Sequence, residues 1–216
     1  EGYVQYLEER VASGKRRDGS PMSDDVKRYL TGQVGDVKLE MAELSGVPVV
    51  VPSITFESAM TVHLGKRDVR ILFLGEGNTA GDTVVVVPDA KVVATGDLLV
   101  SPIPYGYGCH PSAWIETLRR LVAIEAAALV PGHGPVMRDW AYARKVSGLL
   151  QAVRQRVADQ VRQGATLEQA QEKVDLSDLK KSFAGDSFER GAAFDDFFAR
   201  SAIERAYQEK RGTMAE

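Results

Sequence analysis

Apolar residues recur in this chain with two different periods, and the changeovers divide it into segments. Tyr3, Val4, Leu7 and Val11 share one face at helical spacing, and Gly14 provides a stop, so residues 1–13 are predicted as a helix. A solvated loop, Lys15-Arg16-Arg17-Asp18-Gly19-Ser20, follows. Ser23 is then a good N-cap for a second helix, with Asp24 and Asp25 suited to its positive first turn. A third short helix is predicted over Val37–Leu44, ending at Gly46. From Val47 the period shortens toward two. Met60, Val62 and Leu64 alternate with Thr61 and His63, and Val69, Ile71 and Phe73 alternate with Arg70 and Leu72, with Gly65-Lys66-Arg67-Asp68 as a hairpin turn between them. His63 falls on the polar phase and reads as a half-exposed strand residue.

Further apolar runs, Ile71–Leu74, Val84–Val87 and Val92–Ala94, are separated by two polar turns, Gly77-Asn78-Thr79-Ala80-Gly81-Asp82 and Pro88-Asp89-Ala90-Lys91. The third run ends at Thr95-Gly96-Asp97. A loop rich in glycine, proline and aromatic residues, Ser101 to His110, comes next; it suits a substrate pocket or a stiffened connection equally. Pro111 opens a helix with Trp114, Ile115, Leu118, Leu121 and Val122 on its buried face. Ala127–Val130 forms a short strand that leads into Pro131-Gly132-His133-Gly134. Beyond it, Tyr142, Val146, Leu149, Leu150, Val153, Val157 and Val161 keep helical spacing up to Gly164, and Thr166 with Gln169 forms a capping box. A last helix of about residues 188–210 buries Phe194, Phe197, Phe198, Ile203 and Tyr207. Arg144, Arg154, Arg156 and Arg162 lie off the apolar stripes and read as a solvated face. This order predicts an α+β fold, a sheet covered by helices with a helical extension at the C-terminal end.

Composition narrows the function. The chain has 216 residues with 27 basic and 30 acidic side chains, a net charge of -3 that gives no pull toward nucleic acid or an anionic membrane. No apolar run is long enough to span a bilayer. Cys109 is the single cysteine, which excludes an internal disulfide and argues against a thiolate metal cluster. A helical pattern that starts at Glu1, with no Met before it, predicts upstream sequence beyond this chain, so the address is open between cytoplasm and periplasm.

Asp97 and His133 both end apolar strands and are flanked by glycine. Carboxylate and imidazole suit zinc or iron, and neighbouring glycines let the backbone approach an ion. Gly77–Val85, Val92–Leu99 and Val130–Pro135 together resemble the metallo-β-lactamase-fold hydrolases, whose Gly-His-Thr-x-Gly-Asp turn, Thr-Gly-Asp strand end and Pro-Gly-His-Gly loop occur in this order. The resemblance spans about residues 60–137. It implies an αβ/βα sandwich, N-terminally incomplete here, with a partial domain over residues 1–137 and a helical extension over 138–216. It also implies zinc, one or two ions, with iron or manganese as substitutes. Asp97 would be the catalytic, metal-bridging carboxylate, and His133 a ligand of the second metal. A metal-bound hydroxide would attack an ester, thioester, amide or related bond of a small molecule, with His110 and Tyr107 as candidates to reach that substrate.

Two departures qualify the resemblance. The family's His-x-His-x-Asp-His signature has no counterpart here, and Asn78 stands where the family carries a histidine. An amide oxygen is a much poorer zinc ligand than imidazole, so Asn78 is expected to bind metal weakly. The expectation is therefore an incomplete or inactive portion of a metal-dependent hydrolase. The alternative is a degenerate, non-catalytic binding module of the same fold. An open apolar sheet face would favour a homodimer.

Overall fold

The computed structural model describes residues 2–15 and 21–214, which divide into two units, one ending at Thr55 and the other beginning at Phe56. In the first unit, α1 (Gly2–Ser13) and α2 (Asp24–Leu44) enclose Leu7, Met22 and Leu30, with Tyr3, Tyr6, Val11, Val26, Tyr29 and Val34 packed around them. The Ser23 hydroxyl caps α2 by accepting the Val26 N–H at 3.4 Å. Residues 16–20 of the expected loop lie outside the described residues.

The expected break before Val37 does not occur. Helix α2 runs unbroken through Gly32 and Gly35, whose missing side chains face open space. A helix-interior glycine costs about 1 kcal/mol relative to alanine, which weakens a long helix without ending it. Strand structure also starts later than the apolar run at Val47 suggests. Pro48 and Pro52 bracket Val49–Val51 and cannot donate to a ladder, so these valines stay without a strand partner, and Val49 is 94% exposed.

The second unit is built on one five-stranded sheet in the order β1 (Ala59–Leu64), β2 (Arg67–Phe73), β3 (Thr83–Val87), β4 (Val92–Val100), β5 (Ala128–His133). The first three pairings are antiparallel. The β1–β2 turn is tighter than expected: Arg67 already belongs to β2, and Gly65 takes the left-handed conformation at φ +67°. Strands β4 and β5 are parallel, which requires a crossover, supplied by α3 (Pro111–Leu121).

Alternation along the strands sorts the two sheet faces. Val84, Val86, Val93 and Leu129 are buried in the same core as Trp114, Leu118 and Leu121 of α3 and Val146, Leu149, Leu150, Val153 and Val157 of α4 (Ala141–Arg162). On the opposite face Met60, Ile71, Val85, Ala94 and Val130 lie in register across all five strands.

The helical layer continues with α5 (Leu167–Lys173), α6 (Ser177–Ala184), α7 (Phe188–Ala193) and α8 (Arg200–Arg211). The Thr166–Gln169 capping box forms as expected, with both reciprocal bonds present. The predicted last helix is interrupted by a π-helical turn, Phe194–Ala199. Phe194, Phe198 and Ile203 enter the core as expected, whereas Phe197 stays outside it and half-exposed.

Candidate metal centre

Parallel pairing runs β4 and β5 side by side, which brings Asp97, inside β4 rather than at its end as expected, close to His133 at the end of β5. The register between these strands slips on either side of Gly96, which is itself left-handed at φ +52°. Such an irregularity re-aims the side chains that follow it. Asp97 is thereby half-exposed while Leu98, Leu99 and Val100 are buried. The Asp97 Oδ1 and His133 Nε2 atoms lie 3.8 Å apart, beyond hydrogen-bond range, with both side chains open to solvent. The Ser101 N–H donates to the His133 carbonyl at 3.0 Å and locks the two strand ends together. Glycine is required between them: a Cβ on Gly132 would fall 2.0 Å from Asp97 Oδ1, and one on Gly134 2.8 Å from the Ser101 carbonyl.

The turn from Gly77 to Asp82 is held by its own polar groups. Thr79 N–H donates to Asp82 Oδ2 at 2.6 Å, Gly81 N–H to Thr79 Oγ1 at 3.2 Å, and Gly77 N–H to the Thr79 carbonyl at 2.9 Å. A Cβ on Gly77 would meet the Leu98 side chain at 2.3 Å, so this turn packs directly against the residue after Asp97. Burial pushes the Asp82 carboxyl above the usual carboxylate range, and the Asp97 charge adds to that shift against the hydrogen bonds from the turn. Asn78 is buried, and its Oδ1 accepts no hydrogen bond. An acceptor left in that state costs about 1–3 kcal/mol, which an incoming donor or cation recovers.

The two candidate substrate residues are placed differently from each other. His110 is buried, with Nδ1 3.2 Å from Glu76 Oε2 and Nε2 3.5 Å from Arg205 Nη2, and its N–H donates to the Gly77 carbonyl at 2.8 Å. It lines a cavity of roughly 860 Å³ together with Glu76, Ser112, Arg154 and Glu209, whose walls include neither Asp97 nor His133. Tyr107 is half-exposed and lies against Tyr105 and Phe197. Tyr105 in turn meets the His133 ring edge-on at a centroid distance of 5.3 Å. Burial raises the Tyr105 phenol, with the Asp97 charge contributing, so the ring carries a neutral hydroxyl. His63 remains on the exposed hairpin, 2.7 Å from Asp68. Burial pushes the Cys109 thiol up to about 12, which removes it as a thiolate donor.

Carboxylate and imidazole are the right donor types for zinc, and the partnerless Asn78 oxygen adds a weaker one. The count falls short. A catalytic zinc is held by three protein ligands, and among the described residues no group of three His, Cys, Asp or Glu side chains is arranged to hold a metal ion. Among the described residues the donor set is thus short of what a catalytic zinc requires.

The sequence pattern assigns no role to Glu76 or Tyr105, and it places Phe197 on the buried face of the last helix rather than beside the loop. Glu76 abuts the first motif and Tyr105 lies within the aromatic loop, so both were within reach. Phe197 comes from helices far along the chain, where nothing local marks it.

Among solved structures the chain is similar to a metallo-beta-lactamase from Pontibacter korlensis, at 23% identity and a TM-score of 0.44, covering 67% of this chain and 76% of that one. VMB-1 gives 22% identity and a TM-score of 0.42 over 56% of this chain and 60% of its own, and the DIM-1 metallo-beta-lactamase 21% and 0.41 over 57% and 61%. The chain thus spans about three-fifths of the length of the latter two. No curated protein matches the sequence. Residues 8–133, more than half of the chain, match the family model described as the metallo-beta-lactamase superfamily, and with its mixed sheet and helical cover the chain belongs to that superfamily.

Proposed function

We propose that this chain carries part of the active site of a metal-dependent hydrolase acting on an ester, thioester, amide or related bond of a small molecule. Superfamily membership supports a metal-dependent, hydrolase-type function in general. The observation that carries the finer reading is the Asp97–His133 pair, a carboxylate and an imidazole 3.8 Å apart on two adjacent parallel strands. In this reading Asp97 and His133 are metal ligands, Asp97 is also catalytic, and Asn78 contributes weakly. The metal is zinc, as one or two ions, with iron or manganese as substitutes, and it supplies Lewis acidity to the reaction. This reading requires at least one further donor besides these residues. Taken alone, the 216 residues bind zinc poorly and hydrolyse nothing measurable. Among the described residues no helix is long and apolar enough to cross a membrane. The in-register apolar face of the sheet supports a homodimer.

Elemental analysis for zinc, iron and manganese tests this, run on the 216-residue chain and on the product of the full reading frame that encodes it. Metal in the full product and none in the 216-residue chain alone is the expected result. Sub-micromolar, stoichiometric zinc binding by the 216-residue chain in calorimetry overturns the partial-site reading.

A second reading, a binding module that has left metal chemistry, is favoured by one observation. Asn78 occupies the imidazole position of the family motif and is buried there. Absence of metal from both proteins selects it.

A further inference from the structure

Three half-exposed aromatic rings lead to the Asp97–His133 pair, and core packing does not account for them. In the π-helical turn Phe194 and Phe198 are fully buried, while Phe197 faces the loop between β4 and α3. π turns inserted in helices recur at functional sites. This one clamps the loop: the Gly106 N–H donates to the Phe197 carbonyl at 2.8 Å, and a Cβ on Gly106 would lie 2.9 Å from the Phe198 carbonyl oxygen. The residues on either side of Gly106 then place their rings on Phe197, Tyr105 at 5.7 Å and 88°, Tyr107 at 6.1 Å and 57°. Tyr105 continues to His133 at 5.3 Å, and His133 to Asp97 at 3.8 Å. The three rings meet one another at tilted and edge-on angles, so they form a contiguous wall.

We propose that Tyr105, Tyr107 and Phe197 form the recognition surface for an uncharged aromatic ring of the substrate, whose hydrolysable bond then reaches Asp97 and His133. This rests on the hydrolase reading. Aromatic rings prefer edge-to-face and offset contacts with one another, which a wall of mutually tilted rings offers. The Asp97 carboxylate at the inner end of the wall disfavours an anionic ring.

The test uses the 216-residue chain, with benzamide as the probe and acetamide as its non-aromatic counterpart. The chain has three histidines, and the ring signal lost in His133→Gln identifies His133 by NMR. Benzamide is expected to shift that signal saturably and acetamide to leave it in place. Phe197→Leu and the more exposed Tyr107→Leu should each weaken the benzamide titration by about three- to tenfold. A His133 signal that benzamide does not move, or that both amides move alike, overturns the proposal; so does native-like titration by both variants. Neither metal nor turnover enters this readout, so its failure leaves the hydrolase reading intact, and failure of metal uptake leaves the wall testable.

Discussion

Asp97 Oδ1 and His133 Nε2 face each other across 3.8 Å because residue 132 carries no side chain. A methyl group at Gly132 would fall 2.0 Å from that oxygen and 2.9 Å from the Gly96 carbonyl carbon, and the backbone contact has nowhere to yield. Gly132→Ala is expected to destabilise the chain by about 1–3 kcal/mol, the range for overpacked sites. The change is read as a lowered urea midpoint at constant slope. An unchanged midpoint would mean that β4 and β5 are not locked at this end.

Asn78→His tests whether the Gly77–Asp82 turn faces the same point as the pair. The variant puts imidazole where the amide oxygen now lacks a partner. Imidazole is the better zinc donor, and roughly tenfold tighter zinc binding than by the native chain is expected in calorimetry. Equal affinities would remove Asn78 from the metal site.

Asp82 makes stability fall with rising pH at this turn. Its folded-state pKa lies above the ordinary value of 3.8, chiefly through burial, so the folded chain holds the proton more tightly than the unfolded one. The contribution is full below 3.8 and is lost as pH rises through the raised value. Asp82→Asn, which keeps an oxygen for the Thr79 N–H, should lack this loss. The difference between native and variant urea stabilities is therefore expected to swing in the variant's favour from about pH 4 toward neutrality. Parallel curves would show that Asp82 ionises without penalty.

The strands were legible because each apolar run is short, β-branched and bounded by glycine, proline or aspartate. The same local grammar located His133 at the end of β5, whereas β4 continues past Asp97 to Val100. That grammar failed where a distant partner or a tolerated defect decides the outcome. Gly32 and Gly35 do not stop α2, since one weak residue per turn does not break a ladder that propagates on both sides. Val47–Val51 is rich in β-branched residues yet has no strand partner, because Pro48 and Pro52 interrupt it, a local signal that outweighs the valines. Arg154 and Arg156 lie off the apolar stripe as expected, but Arg154 bonds Glu209 and Arg156 bonds Asp178 in a bidentate pair. The π turn leaves no mark in the spacing of Phe194, Phe197 and Phe198, all of which fit an ordinary helix.

Glu209 shows what such a distant partner contributes. Its Oε1 accepts both the Ser112 N–H and hydroxyl at 2.9 Å, capping α3, while Oε2 accepts from Arg154 Nε at 3.2 Å. One carboxylate thus joins α3, α4 and α8, with its side chain only 14% exposed. Glu209→Ala is expected to cost about 1–3 kcal/mol by leaving the helix-start N–H and the guanidinium without this acceptor. Glu209→Gln, which keeps one oxygen, should fall between. Indistinguishable denaturation curves for all three proteins would show that solvent replaces every bond the carboxylate makes.

The proposed homodimer is testable at the second face of the sheet. Met60, Ile71, Val85, Ala94 and Val130 form one apolar row across five strands, and Val130 is 40% exposed. Contiguous apolar surface of this kind marks an interaction site. In sedimentation velocity the 23.5 kDa chain is expected to run as a dimer or larger species that dissociates on dilution. Val130→Lys, which sets a charge at the β5 end of that row without touching the buried face, should shift the population toward monomer. A native chain that sediments as a monomer at every concentration would mean that the row is covered within a single molecule, and the homodimer would be withdrawn.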